Sequence, residues 1–139
     1  MKYNVGSAML AFAAIFATGV NASADDDLTD SQKVVAEYFA QEEKRLNTKL
    51  PLKVNDWLTL ISAKADAAVL RYTYEFPSGT NIDPGALSRN VYKSACSDPG
   101  KRLIIDDGGS YFYIFQSNNL DDMISVSVDE NKCKAFYDK

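Results

Sequence analysis

Proton transfer at neutral pH is the first chemistry to look for, and this chain of 139 residues contains no histidine. The commonest general base and the commonest metal ligand are therefore both missing. A serine nucleophile needs a base to activate it. Lysine could serve, but no Ser-x-x-Lys with its supporting motifs is present, and Ser62-Ala63-Lys64 reads as a strand end. Two carboxylate pairs, Asp106-Asp107 and Asp121-Asp122, have the residue types for glycoside chemistry. Both fall at element boundaries, where aspartate serves turns and caps, so a structural role is expected of each. Asp25-Asp26-Asp27 adds further oxygens, but the alternating ligand spacing and glycine of a calcium loop are absent, so no metal site is expected. Gly108-Gly109 precedes a strand instead of opening a helix, so its amides would not converge on a phosphate. It reads as a turn. No cofactor and no enzymatic activity are expected.

What remains is a surplus of rings, with eight tyrosines and seven phenylalanines. In the strand after Gly109, Tyr111, Tyr113 and Phe115 share one face, while Phe112, Ile114 and Gln116 share the other. Both faces carry large side chains. Either this is a central strand covered on both sides, or one face is an aromatic patch for a protein partner, since tyrosine is enriched at interface centres. Tyr72 and Tyr74, on an earlier strand, extend such a patch or fill the core. Glu42 interrupts the apolar stripe of the first helix, as a partner contact or as a charge at the core rim.

The elements that position these residues follow from capping and periodicity. Thr29-Asp30-Ser31-Gln32 fits a capping box, and a helix is expected over residues 29–47 with Val35, Phe39 and Leu46 at helical spacing. It stops before Pro51. A strand over residues 57–62, a link over 63–68 and a strand over 69–76 form a first hairpin. In its second strand Leu70, Tyr72, Tyr74 and Phe76 alternate with Val69, Arg71, Thr73 and Glu75. Asp83-Pro84 starts a second helix by placing proline at its first position, and Asp98-Pro99 repeats the device, so that helix bends and restarts. After Gly108-Gly109 a second hairpin runs to Cys133, with Ile124, Val126 and Val128 facing inward. Ala135-Phe136-Tyr137 is expected to add a short edge contact. The order gives an α+β fold: two tandem αββ units forming a mainly antiparallel sheet packed by helices on one face. A helix between the hairpins permits a parallel junction at mid-sheet.

The start of the chain speaks to compartment. Lys2, a small and apolar run over residues 5–20 and the small-x-small site Ala22-Ser23-Ala24 read as a cleavable signal peptide over residues 1–24, followed by a single domain over 25–139. The run contains Gly6, Ser7, Thr18 and Gly19 and falls short of the ~20 strongly apolar residues of a membrane span. The protein is therefore expected to be periplasmic or secreted, with no transmembrane span in the mature chain. No cysteine follows the cleavage site, so no lipid anchor is predicted. Cys96 and Cys133 are the two cysteines, and in an exported chain they are expected to form a structural disulfide. A reactive dithiol would favour a C-x-x-C spacing, which is absent. Net charge is −4, with lysines and arginines scattered among carboxylates, which argues against nucleic acid as a partner.

Several stretches in their order resemble a known family. Asn47-x-x-Leu50-Pro51 at the end of the first helix, Tyr72-x-Tyr74, Cys96-x-x-Pro99-x-x-Arg102, Gly108-Gly109-x-Tyr111-x-Tyr113 and the late Cys133 are similar to the small disulfide-bonded pilotins of type II secretion. The resemblance implies a small α+β domain that binds the C-terminal segment of a secretin subunit and helps bring it to the outer membrane. Pilotins are typically lipoproteins, and here the chain departs from the pattern. The function expected is that of a non-enzymatic periplasmic accessory protein binding a protein or peptide in the cell envelope, in secretion or envelope assembly. The candidate contact residues are Tyr72, Tyr74, Tyr111, Tyr113 and Phe115. The alternative is a periplasmic inhibitor or immunity protein that offers loops 78–83 and 117–122 to the cleft of an exported hydrolase.

Overall fold

The computed structural model describes residues 27–137. The expected signal segment, residues 1–24, lies outside the described residues. Residues from Ser31 on cluster as one compact unit.

The first helix, α1 (Asp30–Asn47), begins immediately after Thr29 and buries Val35, Phe39 and Leu46, the apolar positions its periodicity selects. A two-residue strand, β1 (Leu52–Lys53), leads into the hairpin of β2 (Thr59–Asp66) and β3 (Val69–Phe76). Helices α2 (Pro84–Ser97) and α3 (Pro99–Asp106) follow. The second hairpin is β4 (Ser110–Ser117) and β5 (Met123–Val128), and α4 (Glu130–Tyr137) ends the described chain.

Capping chemistry explains the middle of the molecule. Asp83 accepts from the Gly85 amide to open α2, and Asp98 accepts from the Lys101 amide at 2.8 Å to open α3. The Asp98 amide meanwhile donates to the Ser94 carbonyl and closes α2, so one residue sits at both helix ends. At the other end of α3 the Gly108 amide donates to Ile105 and the Gly109 amide to Ile104, the paired bonds of a glycine-terminated helix, with Gly108 at φ +99°. Gly109 is required for another reason. A Cβ there would lie 2.8 Å from side-chain carbons of both Val35 and Ile104.

The strands form one sheet in chain order, β1-β2-β3-β4-β5. All neighbours are antiparallel except β3 and β4, which run parallel in a register that sets Tyr72 beside Tyr113 and Tyr74 beside Phe115. The molecule is thus α+β, with a five-stranded, mixed and mostly antiparallel sheet, four helices among the described residues and one disulfide. Cys96 on α2 bonds Cys133 on α4 with a Cα–Cα distance of 5.5 Å, and both residues are buried.

One sheet face carries Leu60, Ala63, Leu70, Tyr111, Tyr113, Phe115, Val126 and Val128, all buried. Phe39 of α1 packs edge-on against Tyr111 on this face, with ring centroids 5.2 Å apart. Lys101 of α3 reaches the same ring. The opposite face of β4, Phe112, Ile114 and Gln116, is half-buried.

Four expectations need correction. The segment read as a link, 63–68, continues β2 as far as Asp66, because Ala63 and Ala65 pair with Tyr72 and Leu70 across the hairpin. The first strand starts at Thr59 and not at Trp57, since the Asn55 side chain accepts from the amides of Trp57 and Leu58 and holds them in a turn. Residues 135–137 are not an edge contact but the last turn of α4, where Asp129 accepts from the Lys132 amide and caps the helix. The tandem αββ pattern gains β1 and α4, while its second helix breaks and restarts at Asp98-Pro99 as expected.

Candidate functional site

The side chains singled out for partner binding meet at one place. Alternation on β3 and β4 turns Tyr72, Tyr74, Tyr111 and Tyr113 to the helix-covered face, and the parallel register brings them into one cluster. Tyr72 and Tyr111 stack with planes 7° apart, Tyr74 and Tyr113 with planes 11° apart. These four rings and Leu70 form the floor of an open groove of about 420 Å³. One wall is α1, with Tyr38, Glu42 and Arg45; the other is the α2–α3 junction, with Ser94, Asp98, Gly100 and Lys101. Phe115 does not line this groove. It is buried and stacks on Tyr74 with centroids 5.0 Å apart.

The walls are charged and the floor is not. Arg45 grips Glu42 with two bonds, Nε to Oε2 at 3.1 Å and Nη2 to Oε1 at 2.6 Å. That hydrogen bond from Arg45 is the largest influence on Glu42 and holds its carboxyl below the usual range against partial desolvation. Lys101 places Nζ 5.5 Å from the centre of the Tyr111 ring, within cation–π reach. Burial pushes the phenols of Tyr72, Tyr111 and Tyr113 upward, and pushes Tyr74 up to about 12. All four stay neutral and can donate a hydrogen bond throughout the ordinary pH range.

Tyr111 and Tyr113 are 3% and 8% exposed, yet neither hydroxyl has a hydrogen-bond partner among the described residues. Both side chains line the open groove, so their hydroxyls are available to a segment that presents hydrogen-bond acceptors. The groove can therefore accept rings or aliphatic side chains on its floor and reward a segment that also presents acceptors.

Sequence reasoning found the floor but missed most of the walls. Tyr38, Glu42 and Arg45 lie at i, i+4 and i+7, so they share one face of α1, and this was the available signal. Lys101 and Asp98 gave none, since caps and lysines are common on surfaces. The carboxylate pairs serve their own turns: Asp106 accepts from Arg102 Nε at 3.0 Å, and Asp107 ends α3. Asp121 accepts from the Asn119 side chain, and the Asp122 amide donates to Ser117 Oγ. Among the described residues no group of three or more metal-ligating side chains is gathered, and no helix is long and apolar enough to cross a membrane. Loops 78–83 and 117–122 stand side by side, with the Ser78 amide and hydroxyl both donating to the Asn118 side chain.

Fold and groove together define a small disulfide-bonded α+β domain with an open tyrosine-floored groove between one helix and a helix pair. No protein-family model and no curated protein matches the chain. Solved structures do. The type II secretion system pilotin AspS from Vibrio cholerae superposes with a TM-score of 0.63 at 20% identity, over 75% of this chain and 96% of that one. The pilotin EpsS of the Vibrio vulnificus type 2 secretion system gives 0.64 at 16% identity, over 75% and 96%. A protein of Pseudomonas aeruginosa described as secreted gives 0.65 at 14% identity, over 76% and 98%. The chain thus has the fold of these pilotins across nearly their whole length.

Proposed function

We propose that this protein is a non-enzymatic accessory protein of the cell envelope that holds a segment of a protein or peptide partner in the tyrosine groove, in secretion or envelope assembly. The observation that carries this reading is the open groove floored by four neutral tyrosines, of which Tyr111 and Tyr113 have no hydroxyl partner among the described residues. The pilotin fold supports it, and the resemblance of the sequence to pilotins implies the partner, a C-terminal segment of a secretin. Export by the segment at residues 1–24 would place the protein in the periplasm or outside the cell, and the Cys96–Cys133 disulfide accords with an oxidising compartment. Of the five contact residues expected from sequence, the four tyrosines are the proposed contacts, and Phe115 stacks beside Tyr74 on the neighbouring strand.

Site-specific photo-crosslinking in the host cell tests this directly. A crosslinker in place of Tyr72 should capture an envelope-assembly component, and one in place of Arg71, on the opposite face of the same strand, should not. Equal capture from both positions would remove the groove from the account.

The adjacency of loops 78–83 and 117–122 favours a second reading, an inhibitor or immunity protein that offers this end of the sheet to a hydrolase cleft. Inhibition of an exported lytic enzyme, lost on shortening either loop, would replace the first reading by the second.

A further inference from the structure

The loops after β3 and β4 meet at one end of the sheet. The carboxyl ends of the parallel strands β3 and β4 lie together, because Phe76 pairs with Ser117, and Thr59 at the start of β2 pairs with Glu75. Trp57, loop 78–83 and loop 117–122 are therefore gathered at one edge. Trp57 is the chain's single tryptophan, and it is 39% exposed. Its backbone is fixed: the Asn55 side chain accepts from the Trp57 and Leu58 amides at 2.9 Å each, and the Val54 amide donates to the Leu58 carbonyl at 2.8 Å. A large ring is thus displayed to solvent on a rigid turn.

Against this indole lies a shallow depression of about 370 Å³, with Ile82, Ala86 and Leu87 as its apolar part and Asn81, Asp83 and Asn90 as its polar part. A second depression of about 310 Å³ shares Thr80, Asn81 and Ile82 with it and runs on past Phe76 toward Asp122 and Met123. Neither is lined by a lysine or an arginine, so neither suits a phosphate or an acidic peptide. Asn81 and Asn90 are exposed, and no other described residue satisfies their side-chain amides.

We infer that Trp57 and the adjoining Asn81–Asn90 surface form a binding site for a neutral oligosaccharide. A pyranose has a C–H face and a rim of hydroxyls. The electron-rich face of an indole attracts the first, and side-chain amides, each donor and acceptor at once, match the second. A site for an apolar peptide would lack the polar edge, and one for an anion would carry a cation. The two joined depressions run beyond a single ring, so a chain of sugars fits better than a monosaccharide. This site is separate from the tyrosine groove and does not depend on the function proposed for it.

Because Trp57 is the chain's one indole, its emission reports on the site alone. The purified protein is titrated with chitotetraose, maltotetraose and cellotetraose, and in parallel with an uncharged apolar peptide. The expected result is a saturable shift in emission with at least one oligosaccharide, at a Kd of about 1 mM or tighter. It should weaken at least tenfold in the Asn81→Ala/Asn90→Ala double variant, whose exposed positions leave folding intact. Tyr113→Phe, in the groove, should leave the titration unchanged. Unaltered emission with all three sugars, a shift insensitive to the double variant, or a response to the peptide alone would overturn the assignment.

Discussion

Breaking the Cys96–Cys133 bond should lower stability by about 4 kcal/mol without abolishing the fold. The bond closes a loop of sequence separation 37. The chain-entropy relation gives a loss of denatured-state restraint of about 3.8 kcal/mol for a loop of that length at 25 °C, an upper estimate because real denatured chains retain structure. Domains of this size hold roughly 5–15 kcal/mol in all, so the remaining core, Val35, Phe39, Leu70, Ile105 and Val128 among others, should still fold alone. Alanine is the better replacement at both positions, since Cys96 and Cys133 are 3% and 0% exposed and serine would bury two hydroxyls. At about 4 °C per kcal/mol for a domain of this size, Tm should fall by roughly 15 °C. Thermal unfolding by far-UV circular dichroism measures this, on the double variant and on the wild-type protein with and without reductant. The bond joins α4 to α2, and α2 runs into the α3 wall of the groove, so capture of the partner should weaken as well. An unchanged Tm would mean that the open chain is already held together by other contacts. A chain unfolded at 25 °C would mean that the core is too weak to stand alone, and either result refutes the reasoning.

Three further outcomes are expected. Gly109→Ala should cost about 1–3 kcal/mol in denaturant titration, because its methyl group would meet Val35 and Ile104 at 2.8 Å; wild-type stability would show that the α1–α3 contact yields. Tyr113→Phe should leave stability within about 0.5 kcal/mol of wild type, since its hydroxyl has no partner among the described residues and the side chain lines the open groove, while crosslinking through Tyr72 falls; a loss of stability would reveal an internal bond to that hydroxyl. Burial raises the groove phenols, so the folded protein keeps protons that the unfolded chain releases near the ordinary tyrosine pKa of ~10. Their contribution to stability is therefore complete below pH ~10 and is lost as pH rises through the folded values, about 12 for Tyr74. Denaturation midpoints between pH 9 and 12 should fall progressively, and absorbance at the phenolate band should show a late-titrating group of tyrosines; flat midpoints would contradict the burial.

Most of the fold was legible because its signals are local. Asp83-Pro84 and Asp98-Pro99 announced two helix starts that the structure places at Pro84 and Pro99. Leu70, Tyr72, Tyr74 and Phe76 alternated as a strand must, and β3 runs from Val69 to Phe76. Errors arose where a distant partner overrode the local signal. Alanines favour strands weakly, so residues 63–66 read as a link, yet pairing with Tyr72 and Leu70 makes them strand. The last turn of α4 contains Phe136 and Tyr137, which read locally as a short edge contact. Ring contact of Phe136 with Tyr92, a bond between the Tyr137 and Ser97 hydroxyls, and the disulfide together hold it against α2 as helix.

The groove divides along the same line. Backbone geometry imposes a period of two on a strand and 3.6 on a helix over a few residues, so the sequence by itself determined the order of the longer elements and the caps of α2 and α3, but not β1 or α4. It likewise determined the face shared by Tyr111, Tyr113 and Phe115 and the pairing of the two cysteines. It could not say which face of β4 the helices would cover, or that α1 and the α2–α3 junction would stand apart over Tyr72 and Tyr113 and leave room between them. That spacing depends on contacts between residues far apart in the chain: Phe39 on Tyr111, Gly109 against Val35, and Lys101 over the Tyr111 ring. Only the tertiary structure decided it, because a groove is the space between elements, and no single element encodes its distance from another.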